Sequence, residues 1–132
     1  MAKILIIDDD INIKSLLEYN LKKAGYKVFS VDNGRSALEH IDNFLPELIL
    51  TDLDMPEMSG YKLIEKMNTN KKTRDIPIII ISCKSEHEDI KKGLKLGAKE
   101  YIVKPFDPNK LVKKIGEILK NEKIRKKNTD HR

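Results

Sequence analysis

Two short acidic groups stand where chemistry is possible: Asp8-Asp9-Asp10, directly after the apolar run Ile4-Leu5-Ile6-Ile7, and Asp52 with Asp54, directly after Leu48-Ile49-Leu50-Thr51. Carboxylates gathered in one place repel one another, so a site built from them needs a cation, a lysine or protons to be stable. A hard divalent ion meets that need. Magnesium prefers oxygen donors, keeps several waters and is commonly held by one or two carboxylates plus a phosphate, which suits a shallow acidic cluster better than calcium's fuller coordination. Two more groups fit the same chemistry. Lys104 offers a fixed positive charge for a phosphoryl oxygen, and Ser82 offers a hydroxyl donor.

Each of these residues has a plainer role when taken alone. Asp8 to Asp10 could cap a helix, Asp52 and Asp54 could sit in a turn around Met55-Pro56, Ser82 could be a loop hydroxyl and Lys104 a surface lysine. Their joint placement decides against coincidence. Five short runs rich in Ile, Leu and Val alternate with longer segments of helical period, the pattern of βα units around a parallel sheet. The runs are Lys3 to Ile7, Lys27 to Val31, Leu48 to Thr51, Pro77 to Ile81 and Glu100 to Val103. The first and fourth are apolar on both faces and are therefore central. In an open parallel sheet all strands end on one edge, and the residues just beyond them converge on the crevice where such folds bind ligands. The expected architecture is a doubly wound α/β fold with a five-stranded parallel sheet.

The intervening helices are legible from spacing and caps. The first should bury Ile13, Leu16, Leu17, Leu21 and Ala24 and stop at Gly25; the second should start near Asn33 and bury Ala37, Leu38 and Ile41 before Pro46. Ser59 should cap a third that buries Leu63, Ile64 and Met67, with Asn68 to Asp75 a polar loop. A fourth spans about Glu86 to Leu96 with Gly97 as its stop. The fifth begins at Asp107-Pro108, a cap followed by proline in the first turn, and buries Leu111, Ile115, Ile118 and Leu119. Beyond Leu119 the apolar pattern weakens, and the segment is expected to fray.

With 132 residues the chain has the size of one domain. It has no apolar run long enough to cross a bilayer and no leader pattern at Met1, so it is expected to be cytoplasmic and without a membrane partner. Cys83 is the single cysteine and is expected to be a small buried residue. The net charge of +5 is unevenly spread: Lys110 to Arg132 holds nine Lys/Arg against three Asp/Glu, a net +6, which leaves residues 1–109 at −1. A solvated basic helix end and tail accounts for this, and direct nucleic-acid binding by the domain is not expected.

In these segments the chain resembles the receiver domain of bacterial two-component response regulators, the chemotaxis-regulator-like fold with strand order 2-1-3-4-5. The resemblance runs through Ile4 to Asp9, Leu48 to Gly60 (with the pattern D-x-x-M-P-x-M-x-G from Asp52), Ile80-Ile81-Ser82, and Leu96 to Phe106 with its Lys104-Pro105-Phe106. It covers residues 2 to 120; the expected division is a receiver domain over 1–120 and a basic flexible tail or truncated linker over 121–132. The resemblance implies that Asp52 is the phosphoryl acceptor and that Asp52, Asp9 and the backbone carbonyl of Asp54 are ligands of Mg²⁺, with Asp8 acting through a metal-bound water. It further implies that Lys104 contacts the phosphoryl group, that Ser82 hydrogen-bonds it, that Tyr101 changes rotamer with phosphorylation, and that Lys104-Pro105 is a cis peptide. The implied partners are a sensor histidine kinase or phosphotransfer protein upstream, and an effector protein or a missing output domain downstream, reached through the face formed by helix four, strand five and helix five.

The sequence departs from the family pattern in three places. Cys83 stands where Ala or Gly is frequent, which narrows access to the site. Asp54 and Lys84, two residues past the acceptor and the hydroxyl, are placed to form an ion pair across its mouth. Relative to regulators with winged-helix output, Lys99 and Lys110 reverse two charges of the L-x-x-G-A-D-D-Y and E-L-x-x-R stretches that supply ion pairs between dimer partners. A magnesium-dependent phosphohydrolase with Asp52 as nucleophile and Asp54 as general acid is the competing enzymatic reading. It lacks a segment for a substrate-binding cap.

Overall fold

A computed structural model describes residues 2–130; Met1, His131 and Arg132 lie outside the described residues. Five strands alternate with five helices: β1 (Lys3–Ile7), α1 (Ile11–Lys23), β2 (Lys27–Val31), α2 (Gly34–Phe44), β3 (Leu48–Thr51), α3 (Gly60–Asn68), β4 (Ile78–Ser82), α4 (His87–Lys95), β5 (Glu100–Val103) and α5 (Pro108–Asp130). The strands form one parallel sheet in the order β2-β1-β3-β4-β5, as expected. β4 lies one residue further along than its apolar run suggested, so Ser82 is its last residue, paired with Val103 in the ladder.

Alternation along the central strands builds two cores. Leu5, Ile7, Ile49, Ile78 and Ile80 face one side and pack with Ala37, Ile41, Leu63, Ile64 and Met67 of α2 and α3. Ile4, Ile6, Leu48, Leu50, Ile79 and Ile81 face the other and pack with Leu17, Leu21, Leu111, Ile115 and Leu119 of α1 and α5. This two-sided burial is why β1, β3 and β4 carry apolar residues at successive positions.

The helix boundaries follow their caps. Asp10, Asn33 and Ser59 accept hydrogen bonds from main-chain N–H groups in the first turns of α1, α2 and α3. Gly25 and Gly97, at φ +97° and +114°, end the turns after α1 and α4 in the left-handed region that glycine favours. The Lys104-Pro105 peptide is cis.

Three expectations are corrected. Leu16 and Ala24 are exposed, because the buried stripe of α1 runs Ile13, Leu17, Leu21; Leu16 is rotated about 100° off it and Ala24 is already the C-cap. Cys83 is exposed, since the strand ends at Ser82 and the thiol falls on the loop beyond it. α5 does not fray after Leu119 but continues to Asp130. Its extension is held by charge rather than by apolar burial: the Glu122 carboxylate receives Arg125 at 3.0 Å within the helix and Lys99 at 3.7 Å from the turn before β5. Among the described residues no helix is long and apolar enough to cross a membrane.

Replacing Glu122 with Ala should therefore loosen the end of α5 alone. Amide hydrogen exchange over residues 121–128 is expected to speed up about two- to fivefold, the scale of a partly exposed ion-pair network, with the thermal midpoint unchanged to within about 2 °C.

Candidate functional site

The site is placed by the backbone before any side chain is considered. The main-chain N–H of Asp8 donates to the Val31 carbonyl (3.1 Å), that of Asp52 to Ile7 (2.9 Å) and that of Lys104 to Ser82 (2.8 Å). The hydrogen-bond ladder of the sheet thus runs one residue past the strand ends and includes all three groups. Ser82 is itself within β4 and fully buried.

Their side chains meet. Lys104 Nζ lies 2.9 Å from Asp8 Oδ2 and 3.2 Å from Asp52 Oδ2, and all three side chains are at most 10% exposed. The other oxygen of each carboxylate is held by backbone: Asp8 Oδ1 accepts from Asp10 N (2.9 Å), and Asp52 Oδ1 accepts from Leu53 N (2.6 Å) and more distantly from Asp54 N (3.4 Å). Asp9 is exposed, and one carboxylate oxygen from each of Asp8, Asp9 and Asp52 falls within 4.8 Å of the others. An all-oxygen set of three carboxylates so spaced fits a hard divalent cation.

The electrostatics follow from this packing. Burial raises the Asp52 carboxyl above its ordinary value, and the neighbouring charge of Asp8 pushes the same way, while Lys104 and the Leu53 N–H pull it down without cancelling the rise. Burial alone would depress Lys104, but hydrogen bonding and charge from Asp8 and Asp52 outweigh it and hold the ammonium above its usual range. One protonated lysine between two carboxylates leaves the pocket net negative.

Around this centre, Ser82 Oγ accepts from Lys84 N (3.1 Å). Tyr101 is half-buried and donates its hydroxyl to the Lys84 carbonyl (2.7 Å), and burial raises its phenol. Asp54 and Lys84 form the ion pair expected at the mouth, at 3.3 Å with both side chains well exposed. Asp10 turns away from the cluster to cap α1, the plainer of its two expected roles.

Two residues have roles that the sequence does not specify. A Cβ on Gly60 would sit 2.2 Å from the Asp52 carbonyl oxygen and 3.0 Å from Leu53 Cα, so only glycine lets the loop from Asp54 to Ser59 fold back onto the acceptor's own backbone. The turn also places Glu57 at φ +69°. Tyr61, one residue on, donates its hydroxyl to the Asp89 carbonyl of α4 (3.1 Å) and lies beneath the Lys92 ammonium, 4.3 Å from the ring centroid. The glycine could be noticed in the motif, but its close approach is a tertiary fact. Nothing in the helical pattern of α3 sets Tyr61 apart.

Comparison with known proteins points one way. The family model described as "Response regulator receiver domain" matches residues 4–116. Similar curated proteins include a probable transcriptional regulator ycf27 of Porphyridium aerugineum, 40% identical over 89% of this chain and 48% of its own length. Another is the alkaline phosphatase synthesis transcriptional regulatory protein PhoP of Bacillus subtilis, 34% identical over 92% and 50%. The chain spans about half the length of the curated relatives it matches. Among solved structures, a CheY-like receiver domain protein of Methanospirillum hungatei superposes with a TM-score of 0.87 at 30% identity, covering 95% of this chain and 98% of that one. The chemotaxis response regulator CheY4 of Vibrio cholerae gives 0.83 at 30%, covering 89% and 98%.

The raised carboxyl of Asp52 has a consequence for stability. A group whose pKa is higher folded than unfolded stabilises the fold when protonated, and that contribution is lost as pH rises through the folded value. At neutral pH in a chelating buffer, Asp52→Asn should accordingly unfold at a higher temperature than wild type. The advantage should shrink as pH falls through the raised value and vanish below the ordinary carboxylate range. Thermal scans of both proteins from pH 7 to pH 3.5 check this.

Proposed function

The chain belongs to the response regulator receiver domain family, and on that premise we propose that it is a phosphorylation-driven switch in which Asp52 accepts a phosphoryl group from a phosphohistidine. The observation that supports this most directly is the ammonium of Lys104 bridging Asp8 and Asp52 at the edge where the strands end.

In this reading an Asp52 carboxylate oxygen attacks phosphorus in line. A P–O bond forms, the P–N bond to the donor histidine breaks, and the histidine nitrogen leaves with the electron pair. The Leu53 N–H fixes the orientation of the carboxylate through Oδ1, and Lys104 moves from the carboxylates to the transferred oxygens, so positioning and charge neutralisation carry the reaction. Asp9, Asp52 and the main-chain carbonyl of Asp54 would hold Mg²⁺, with Asp8 acting through a water. Bound there, the ion supplies charge neutralisation for the phosphoryl oxygens. The Ser82 hydroxyl donates to the acyl phosphate. Its inward shift makes room for Tyr101, which biases the surface of α4, β5 and α5 between two states.

The donor in this proposal is a sensor histidine kinase or a phosphotransfer protein in the cytoplasm, with residues 1–120 as the receiver unit and 121–132 as a basic extension. The recipient of the signal is an effector protein or an output domain. The longer relatives described above are transcriptional regulators, which favours the latter.

Incubation with acetyl phosphate and Mg²⁺ should add one phosphoryl group by intact mass. The addition should be abolished by EDTA or Asp52→Asn and slowed about 100-fold by Lys104→Ala, the usual scale for removing one charge-stabilising group. No uptake under any condition would leave a domain that works by binding alone. The ion pair of Lys84 with Asp54 screens the acyl phosphate from water, so Lys84→Ala should shorten its lifetime several-fold in a dephosphorylation time course. An unchanged rate removes the pair from the mechanism.

A further inference from the structure

α4 is attached to the rest of the molecule in an unusual way. Its one buried residue is Gly93; Ile90 is half-buried and Leu94 is exposed. Three side chains from other elements hold main-chain carbonyls in and around the helix: Tyr101 at Lys84 (2.7 Å), Tyr61 at Asp89 (3.1 Å) and Asn68 at Leu96 (2.8 Å). The helix therefore meets the sheet through its backbone, at a position where a side chain has no room. A Cβ on Gly93 would lie 2.6 Å from Ile80 Cδ1 and 3.0 Å and 3.4 Å from Cδ2 and Cε2 of Tyr101. Ile80 and Tyr101 are register partners on β4 and β5, so the tyrosine ring occupies a slot walled by Ile80 on one side and by the bare backbone of Gly93 on the other.

We infer that Gly93 is a positioning residue for Tyr101: its missing side chain makes the slot that admits the ring and brings the hydroxyl to the Lys84 carbonyl. The inference rests on the proposed role of Tyr101 as the switch and names what sets the place of the ring in the unphosphorylated protein. Nothing in α4's apolar pattern marks Gly93, and alanine would be the better helix former at that position. The glycine is explained by the ring beside it. Tyr101 has four neighbours that matter for its place: Gly93, Ile80, Ser82 and the Lys84 carbonyl, and of these only Gly93 acts by leaving space.

The test uses unphosphorylated full-length protein with ¹³C-labelled tyrosine, the Tyr101 signal being assigned with Tyr101→Phe. Ile80→Val removes the atom closest to the new Cβ and serves as the reference, so that Ile80→Val/Gly93→Ala differs from it only in the contact with the ring. In the reference, Tyr101 should titrate above the ordinary phenol value of about 10, as its burial requires. In the double variant it should titrate near that value while Tyr61, whose phenol is also raised by burial, stays where it was. A Tyr101 titration identical to the reference overturns the inference. So does a parallel shift of Tyr61 and Tyr101, which would mean that α4 as a whole had come away. Uptake from acetyl phosphate is measured separately, so failure of Asp52 to accept a phosphoryl group sinks the proposed function and leaves the ring measurement standing on its own.

Discussion

Everything at the site depends on the sheet's hydrogen-bond ladder continuing for one residue beyond the ends of the strands. The N–H groups of Asp8, Asp52 and Lys104 are still bonded to neighbouring strands, so the backbone atoms that carry the reactive side chains have the rigidity of the core and not of a loop. Two consequences follow. The backbones of Asp8 and Asp52 are set one strand spacing apart, about 4.8 Å, and that of Lys104 two spacings beyond Asp52, a gap across β4 that the long lysine side chain spans. And the residues can come from places 44 and 52 positions apart in the chain without any loop having to hold them there.

Such rigidity makes an unfavourable charge arrangement tolerable. Asp52 is buried beside Asp8, and its ionised form costs the fold stability that Lys104 only partly returns. A flexible pocket would relax by letting one carboxylate swing out to water. Here each aspartate has one oxygen tied to main-chain N–H groups and the other to Lys104, so neither can leave without losing both kinds of bond. The binding site is thus paid for by the two apolar cores on either side of the sheet, which together bury all of β1, β3 and β4 apart from one partly exposed end.

Much of this was legible in the sequence because it depends on local rules. Four strands appear where their apolar runs lie, the caps at Asn33 and Ser59 are where side-chain chemistry puts them, and Asp8, Asp9, Asp52 and Lys104 converge because parallel strands share an edge. What was not legible depends on neighbours distant in the chain. The exposure of Cys83 comes from its place on the loop just past β4, which the usual burial of cysteine does not reveal. The continuation of α5 past Leu119 brings Glu122 opposite Lys99, a pair that periodicity along one helix does not reveal. The close approach of Gly60 to Asp52, and the hydrogen bond from Tyr61 to α4, required knowing how loops and helices stack. Apolar patterns record which face of an element is buried; they do not record where two backbones touch.

The unbroken course of α5 has a mechanical meaning. Its first three turns are embedded in the core through Leu111, Ile115 and Leu119, while the remainder continues to Asp130, with Glu122 and Arg125 lining a cleft with Asn68 and Arg74, and Lys126 another with Ile41 and Pro77. At 1.5 Å per residue the part beyond Leu119 is about 16 Å long. Held in the core and again along this edge, it acts as a strut and not as a free arm, so it moves together with the turns it lies against. Since Lys99 grips the strut at Glu122 from the turn that leads directly into β5, one of its attachments lies next to the strand that carries Tyr101.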